Sequence, residues 1–90
     1  MLKKCSLSGN RNLDKGATAL GESLKTNTSL EELELDYCGI GAEGGKSIAE
    51  GLRFNRVLAK LDLRYNQLNA EAKQALQDVV KDRKEFELLL

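Results

Sequence analysis

The sequence predicts an α/β fold in which similar strand–turn–helix units stack into a solenoid. Two observations predict it: leucines recur at strand spacing, and the complete pattern returns with a 28-residue period. Leu33 and Leu35 are two positions apart, so both side chains point to one face of a strand. The acidic residues Glu32, Glu34 and Asp36 take the opposite face. A single unit leaves its apolar face open, and stacking on the next unit buries that face.

The period is supported at many positions along the chain. Equivalent residues fall beneath one another in the sets Leu2, Leu30, Leu58 and Phe86; Leu20, Ile48 and Leu76; Leu24, Leu52 and Val80; and Asn27 and Asn55. Agreement at one fixed spacing is typical of repeat proteins. It predicts one domain, residues 1–90, with repeats at about 2–29, 30–57 and 58–85 and a partial fourth strand at 86–90. Neither end resembles a polar cap, so we expect a piece of a longer array, or self-association through the repeat ends.

The first unit departs slightly from the other two. Its strand is predicted at residues 4–8, and a turn rich in glycine and asparagine follows. Leu13 comes one place later than its equivalents, so either the turn bulges by one residue or Asn12 occupies the apolar position. Asp14 is expected to cap a helix over residues 15–25.

The second and third helices are predicted at residues 42–54 and 70–82. Gly44, Gly45 and Gly51 weaken the second helix, each by about 1 kcal/mol relative to alanine. Small residues also allow a close approach, and we expect them to bring this helix near the sheet.

The complete motif is L-x-x-L-x-L-x-x-N/C-x-L in a 28-residue unit, with helical segments such as Gly16-Ala17-Thr18-Ala19-Leu20. It resembles the leucine-rich repeats of the ribonuclease-inhibitor type. The segment Leu24-Lys25-Thr26-Asn27-Thr28-Ser29-Leu30 looks like the arrays of NOD-like receptors. Ran GTPase-activating protein and tropomodulin-like actin cappers contain the same unit type. The resemblance implies a right-handed, curved solenoid, a horseshoe fragment with a parallel β-sheet on its concave face and α-helices on its convex face.

The resemblance also implies a structural ladder at the end of each strand, formed by Asn10, Cys38 and Asn66. In the family this side chain satisfies backbone groups of the turn, and buried backbone groups do need such partners. Cys38 is a weaker hydrogen-bonding residue than asparagine, so we expect the second turn to be softer.

Composition excludes several classes of function. Fourteen basic and fourteen acidic residues give a net charge of zero, which argues against a nucleic-acid-binding protein. No apolar run approaches the ~20 residues of a membrane span, and no signal peptide is expected at the N-terminus. Cys5 and Cys38 occupy structural positions, as is typical of reduced thiols in an intracellular, cytoplasmic protein.

Three patterns suggest chemistry, and each has a simpler structural interpretation. Residues 41–47 are similar to a phosphate-binding loop, but Ile40 stands where the first glycine is required. The carboxylates on the strands are more typical of a solvated or ion-paired face than of a metal site. No histidine is present to activate a cysteine nucleophile. We therefore expect no enzyme activity, no metal and no cofactor.

The outward-pointing strand residues are the candidate partner-binding site. They are Lys4, Ser6, Ser8, Glu32, Glu34, Asp36, Tyr37, Lys60, Asp62, Arg64 and Tyr65. The three units carry net charges of +3, −3 and +1, so an acidic stripe has basic neighbours that can orient a partner. A simpler interpretation is ion pairing across the sheet, as in Lys4–Glu32–Lys60 and Asp36–Arg64.

The predicted function is a noncatalytic protein-interaction module that binds its partner through this concave face, because solenoids use such surfaces for binding. Resemblance to Ran GTPase-activating protein offers an alternative, a GTPase-regulating module with Asn10, Arg11 and Arg64 near the nucleotide. A self-associating repeat segment is a third possibility.

Overall fold

The computed structural model describes residues 3–11 and 13–90. Strands and helices alternate along this part of the chain: β1 Lys4–Ser6, α1 Asp14–Leu24, β2 Glu32–Glu34, α2 Ala42–Phe54, β3 Lys60–Asp62, α3 Ala70–Val80 and β4 Glu87–Leu89. The alignment of Leu2 with the later leucines and the placement of Asn12 in the apolar position lie outside the described residues. Leu13 packs against the core.

The four strands form one parallel sheet in the order β1-β2-β3-β4, which confirms the α/β solenoid. Lys4 pairs with Glu32, and Glu32 pairs with Lys60, so the first three strands follow the 28-residue period. The last pair differs, because Leu61 lies opposite Leu88, one position earlier than that period requires. The prediction that the 28-residue period continues unbroken to Phe86 is therefore wrong by one residue.

The segment from Arg83 to β4 is one residue shorter than the equivalent segment from Asn55 to β3, and the cause is local. Asn55 precedes β3, and its Oδ1 accepts hydrogen bonds from the backbone N–H groups of Val57 and Leu58. Arg83 takes the equivalent position, and a guanidinium offers donors but no acceptor. The Phe86 N–H instead bonds the Arg83 carbonyl at 3.1 Å, and a tighter turn results.

The core lies between the sheet and the helices. Its largest fully buried side chains are Leu33, Leu35, Leu61 and Leu63 from the strands and Ile40, Ile48, Leu52 and Leu76 from the turns and helices. Burying one such side chain stabilises the fold by about 1.5–3 kcal/mol. The strand leucines predicted to point inward do so.

Glycines bring neighbouring helices together, and not the second helix and the sheet as expected. A Cβ atom at Gly51 would overlap the carbonyl oxygen of Gly21 in α1, and one at Gly21 would overlap the Ser47 carbonyl in α2. On the other side of α2, a Cβ at Gly45 would meet Leu68 and Ala72. The sequence pattern identified the small residues correctly but assigned them the wrong neighbour.

Asp14 caps a different helix from the one expected. Helix α1 begins at Asp14 itself, after Leu13, whose apolar side chain cannot cap. Asp14 Oδ1 instead accepts hydrogen bonds from Gly41 N (2.8 Å) and Gly44 N (3.1 Å), at the start of α2. A Cβ at Gly44 would lie 2.6 Å from this oxygen, so glycine makes the cap possible.

This cap also explains the segment that is similar to a phosphate-binding loop. Two of its amides already bind the Asp14 carboxylate. Lys46 lies on the helix surface, 3.6 Å from Glu71 of α3. Within the described residues, no helix has the length and apolar character needed to span a bilayer.

Candidate functional site

The first two strands place charged side chains side by side on the face opposite the helices. Residues that pair in a parallel sheet project in the same direction, which brings Lys4 beside the acidic residues of β2. Lys4 Nζ is 3.9 Å from carboxylate oxygens of both Glu32 and Glu34. All three side chains remain at least one-quarter exposed, so each ion pair contributes under about 1 kcal/mol.

The third strand ends in a tighter ion pair. Asp62 is only 4% exposed, although the strand pattern placed it on the outward face. Arg64 covers it and donates from Nε to Oδ1 at 3.0 Å and from Nη2 to Oδ2 at 2.9 Å. The hydrogen bonds from Arg64 outweigh the effect of burial and lower the pKa of Asp62. Asp62 therefore orients Arg64, and Arg64 is the group that a partner can reach.

Asp36 is not the partner of Arg64. Its Oδ1 accepts a 2.5 Å hydrogen bond from Ser8 Oγ in the first unit, and Ser8 Oγ also lies 3.3 Å from Ser6 Oγ. The proposed Asp36–Arg64 pairing across the sheet is therefore replaced by two other contacts: Asp36 bonds Ser8 of the first unit, and Arg64 bonds Asp62 of its own unit. Lys60, half-buried on β3, lies opposite Glu32 in the strand register.

Two tyrosines stand beyond the strand ends and pack on each other. The ring centroids of Tyr37 and Tyr65 are 4.5 Å apart, with planes 15° from parallel. The two tyrosine residues are 56% and 64% exposed. Both residues have positive φ, 57° and 61°, a region that non-glycine residues seldom adopt.

Asn66 connects two units at the strand ends. Its Nδ2 donates to the carbonyls of Leu35 (2.8 Å) and Leu63 (3.0 Å). Its Oδ1 accepts from the backbone N–H groups of Cys38 (2.9 Å) and Ile40 (3.0 Å). One carboxamide therefore bonds backbone groups at the strand ends of two successive units.

Cys38 makes fewer hydrogen bonds than Asn66. Its thiol is fully buried and donates to the carbonyl of Leu7 in the first unit, with an S···O distance of 3.0 Å. Burial raises the pKa of this thiol. Asn10 is exposed and donates to the Leu7 carbonyl of its own turn at 2.7 Å.

A second ladder lies at the opposite ends of the strands, where the helices return to the sheet. Asn55 is 2% exposed, and its Nδ2 donates to the carbonyls of Leu24 and Asn27, both at 2.9 Å. Asn27 uses its own Oδ1 to accept from Ser29 and Leu30. The sequence did carry a signal, since Asn27 and Asn55 occupy equivalent positions of successive units, but no role was inferred from it.

Arg83 occupies the third position of this second ladder, where a guanidinium stands in place of a carboxamide. Its Nη2 donates to the carbonyl of Leu52, the equivalent of the contact from Asn55 to Leu24. Burial, together with repulsion from Arg56, lowers the pKa of Arg83. Within residues 3–11 and 13–90, its Nε and Nη1 are buried without a hydrogen-bond partner.

Three residues were suggested for a nucleotide-regulating role, Asn10, Arg11 and Arg64, and two of them have partners within the protein. Asn10 bonds a backbone carbonyl, and Arg64 is held by Asp62. In the part of the chain that the structure describes, no three His, Cys, Asp or Glu side chains converge on a point that could hold a metal ion.

Comparison with known families agrees with this architecture. The model of the leucine-rich repeat family matches residues 26–49 and 54–76, more than half of the chain. The chain belongs to the leucine-rich repeat family. The leucine-rich repeats account for the buried leucines, the parallel strands and the helices between them.

A solved structure supports the same fold. The structure of leiomodin-1 actin-binding site 2 superposes with a TM-score of 0.86 and 16% sequence identity. The match covers 97% of this leucine-rich repeat chain but only 51% of the leiomodin chain. No curated protein sequence matches the chain significantly. Leucine-rich repeats are in general noncatalytic interaction modules.

Proposed function

We propose that this leucine-rich repeat chain binds a protein partner through its concave patch. The concave patch is defined as the outward face of β1–β3 with the two tyrosines: Lys4, Ser6, Ser8, Glu32, Glu34, Asp36, Tyr37, Lys60, Asp62, Arg64 and Tyr65. The exposed tyrosine pair carries the proposal. Tyrosine and arginine are enriched among the residues that dominate binding energy at interfaces.

The charges of the patch support recognition of a partner with a complementary pattern. Glu32, Glu34 and Asp36 form an acidic column, and Lys4 and Lys60 flank it from the neighbouring strands. Adjacent strands are about 4.8 Å apart, so the columns form one compact surface. Such a pattern steers the encounter and fixes the orientation of a partner.

The decisive experiment reverses the acidic column. A variant with Glu32, Glu34 and Asp36 changed to lysine is compared with the wild-type protein in capture from cell extract. A matched control carries the same charge change at Glu22, Glu50 and Asp78, exposed residues of the three helices. We expect a captured protein that the concave variant loses and the helix variant retains. Identical captured proteins in all three samples would contradict the proposal.

Actin is the first defined partner to test. The reason is the fold likeness to a structure described as an actin-binding site, at 16% identity. Cosedimentation with filaments and binding of labelled monomers test the two forms of actin separately. Binding that the concave variant reduces and the helix variant retains would support actin as the partner.

Self-association through the repeat ends is the competing function. Leu88 and Leu90 of the last strand region are only half-buried against the core, so a second copy could cover them. Light scattering over a concentration series separates the two functions. A mass that rises with concentration and falls on Leu88→Lys substitution would favour self-association.

The 28-residue unit and the segment 24–30 favour repeats of the ribonuclease-inhibitor type, similar to those of NOD-like receptors. The buried thiol of Cys38 is consistent with an intracellular, cytoplasmic location.

A further inference from the structure

A groove crosses the three units at the edge of the sheet where the strands end. It has a volume of about 580 Å³, within the usual range for ligand sites. Its lining consists of two repeat positions, each taken from three successive units: Gly9, Tyr37 and Tyr65 hold the first position, and Arg11, Gly39 and Gln67 hold the second. The groove therefore runs along the stack of units and lies next to the concave patch.

Gly9 has the same backbone setting as the two tyrosines. The Gly9 N–H donates to the carbonyl of Asp36 at 3.0 Å, and the Tyr37 N–H donates to the carbonyl of Arg64 at 3.2 Å. All three residues have positive φ, with 80° at Gly9. Gly9 is thus related to Tyr37 as Tyr37 is related to Tyr65.

The absence of a side chain at Gly9 leaves one position of an aromatic stack open. Tyr37 packs one ring face on Tyr65, and its other face is directed toward the first unit. A Cβ atom built on Gly9 would meet no atom within 4 Å. Aromatic rings prefer offset stacking at centroid distances of about 4.5–7 Å, so a third ring fits the repeat spacing.

The backbone conformation indicates that the tyrosines serve more than folding. A positive φ costs conformational energy in a tyrosine, and glycine, present at the first of the three positions, avoids that cost. Strained residues of this kind concentrate at binding sites.

The groove also contains a positive charge. Arg11 lines the groove and is exposed, and within the described residues no carboxylate lies within 4.0 Å of it. A carboxylate complements a guanidinium in both charge and geometry. The adjacent acidic column repels a phosphate chain, which favours a peptide over a nucleic acid.

We propose that the groove binds a protein segment in which an aromatic residue is followed by an acidic residue. The aromatic ring stacks on Tyr37 above Gly9, and the carboxylate pairs with Arg11. This inference rests on the proposed function, because it assumes a protein partner, and it adds the chemistry of that partner.

The test uses the peptide acetyl-Gly-Trp-Asp-Gly-amide as the probe. The protein contains no tryptophan, so tryptophan fluorescence reports on the peptide alone. We expect saturable binding that is lost when leucine replaces the tryptophan of the peptide or lysine replaces its aspartate. Amide resonances of Gly9, Tyr37 and Gly39 should shift during the titration.

Two variants at Gly9 give the sharpest comparison. Gly9→Tyr places the protein's own ring in the open position, and we expect the peptide affinity to fall about tenfold. Gly9→Asn also suits the positive φ but adds only a short side chain without a ring, so its affinity should stay within about twofold of wild type. Circular dichroism checks that both fold, and Arg11→Glu, which should also lose the peptide, is an independent variant.

Three results would overturn the groove assignment. They are unchanged peptide affinity in both Gly9→Tyr and Arg11→Glu, no peptide binding by the wild type, or stronger binding of adenosine monophosphate than of the peptide. The capture experiment with the Glu32, Glu34 and Asp36 variant tests the proposed function separately from the groove. A wild-type protein that captures its partner but ignores the peptide overturns the groove alone.

Discussion

The two asparagine ladders of this protein do the same work at opposite ends of the strands, and they differ in how they tolerate substitution. In both, a carboxamide ties one unit to the preceding one with its Nδ2 and organises a turn with its Oδ1. Asn66 does this where a strand ends, and Asn55 where a helix returns to the sheet.

Each ladder has one position at which another residue stands in place of asparagine: Cys38 at the strand ends and Arg83 at the return to the sheet. Cys38 and Arg83 each keep a donor to the preceding unit, to the carbonyls of Leu7 and Leu52. Neither supplies the acceptor of a carboxamide. The register is retained after Cys38 but shortens by one residue after Arg83. A donor is therefore present where the units stay in contact at both positions, and the missing acceptor coincides with a changed register only at Arg83, in the return to the sheet.

The largest expected loss of stability is at Asn55, in the buried segment that leads from α2 to β3. Asn55→Ala removes four hydrogen bonds and leaves buried backbone groups unpaired, so the free energy of unfolding should fall by about 3 kcal/mol. Urea denaturation measures it. Asn27→Ala, an exposed position with two such bonds, is the matched control and should cost about 1 kcal/mol. Equal losses would mean that burial does not set the strength of this ladder.

A smaller loss is expected at the strand-end ladder, which is less buried. Asn66→Ala should lower the free energy of unfolding by about 2 kcal/mol and speed amide exchange at Cys38 and Ile40. Asn10→Ala removes one exposed hydrogen bond and should cost under about 1 kcal/mol. If Asn66→Ala proves more costly than Asn55→Ala, the order of the two ladders is reversed.

A gain in stability is expected when the hydrogen-bond acceptor that is missing at position 38 is restored. Cys38→Asn supplies a carboxamide to the first turn, and the free energy of unfolding should rise by up to about 1 kcal/mol. Cys38→Ala, which removes the donor to Leu7, should lower it. Thermal unfolding of both variants beside the wild type measures the difference. A destabilised Cys38→Asn protein would show that packing outweighs the acceptor at this position.

The smallest expected effect is a pH dependence of the free energy of unfolding that arises from Cys38. Because burial raises the pKa of Cys38 in the folded protein, the thiol ionises first in the unfolded chain. The unfolded state then binds fewer protons, so stability decreases as the pH rises above about 8.5. Urea titrations between neutral and alkaline pH should show a steeper decline for the wild type than for Cys38→Ala. Parallel declines would exclude this thiol as the cause, since both proteins retain Cys5.

Much of the fold could be predicted because one spacing determined it. Leucines that recur with a single period predicted the strands, their pairing up to β3 and the inward face, since parallel strands in register place equivalent residues side by side. The helix starting at Ala42 and ending at Phe54 was predicted to the residue. The columns of Lys4, Glu32 and Lys60 follow from the same register.

The remaining differences arise from contacts between units, which periodicity does not encode. Asp14 could reach either its own helix or the next, and the missing Cβ of Gly44 decided for the next. Asp62 and Glu34 occupy equivalent positions, yet only Asp62 is buried, because Arg64 folds over it. The role of Asn55 was visible as a repeated asparagine, but its four bonds depend on carbonyls that only the folded chain brings close.

The contact between Gly21 and Gly51 bears on how strongly the array bends. Strands are spaced about 4.8 Å apart, whereas packed helices usually need about 8–10 Å, and this mismatch makes the outer side of such an array longer than its inner side. Backbone contact between the first two helices reduces the mismatch at that junction. We therefore expect a bulkier residue at either glycine to act as a wedge that narrows the opening on the far side, changing the width available to a bound molecule without touching it.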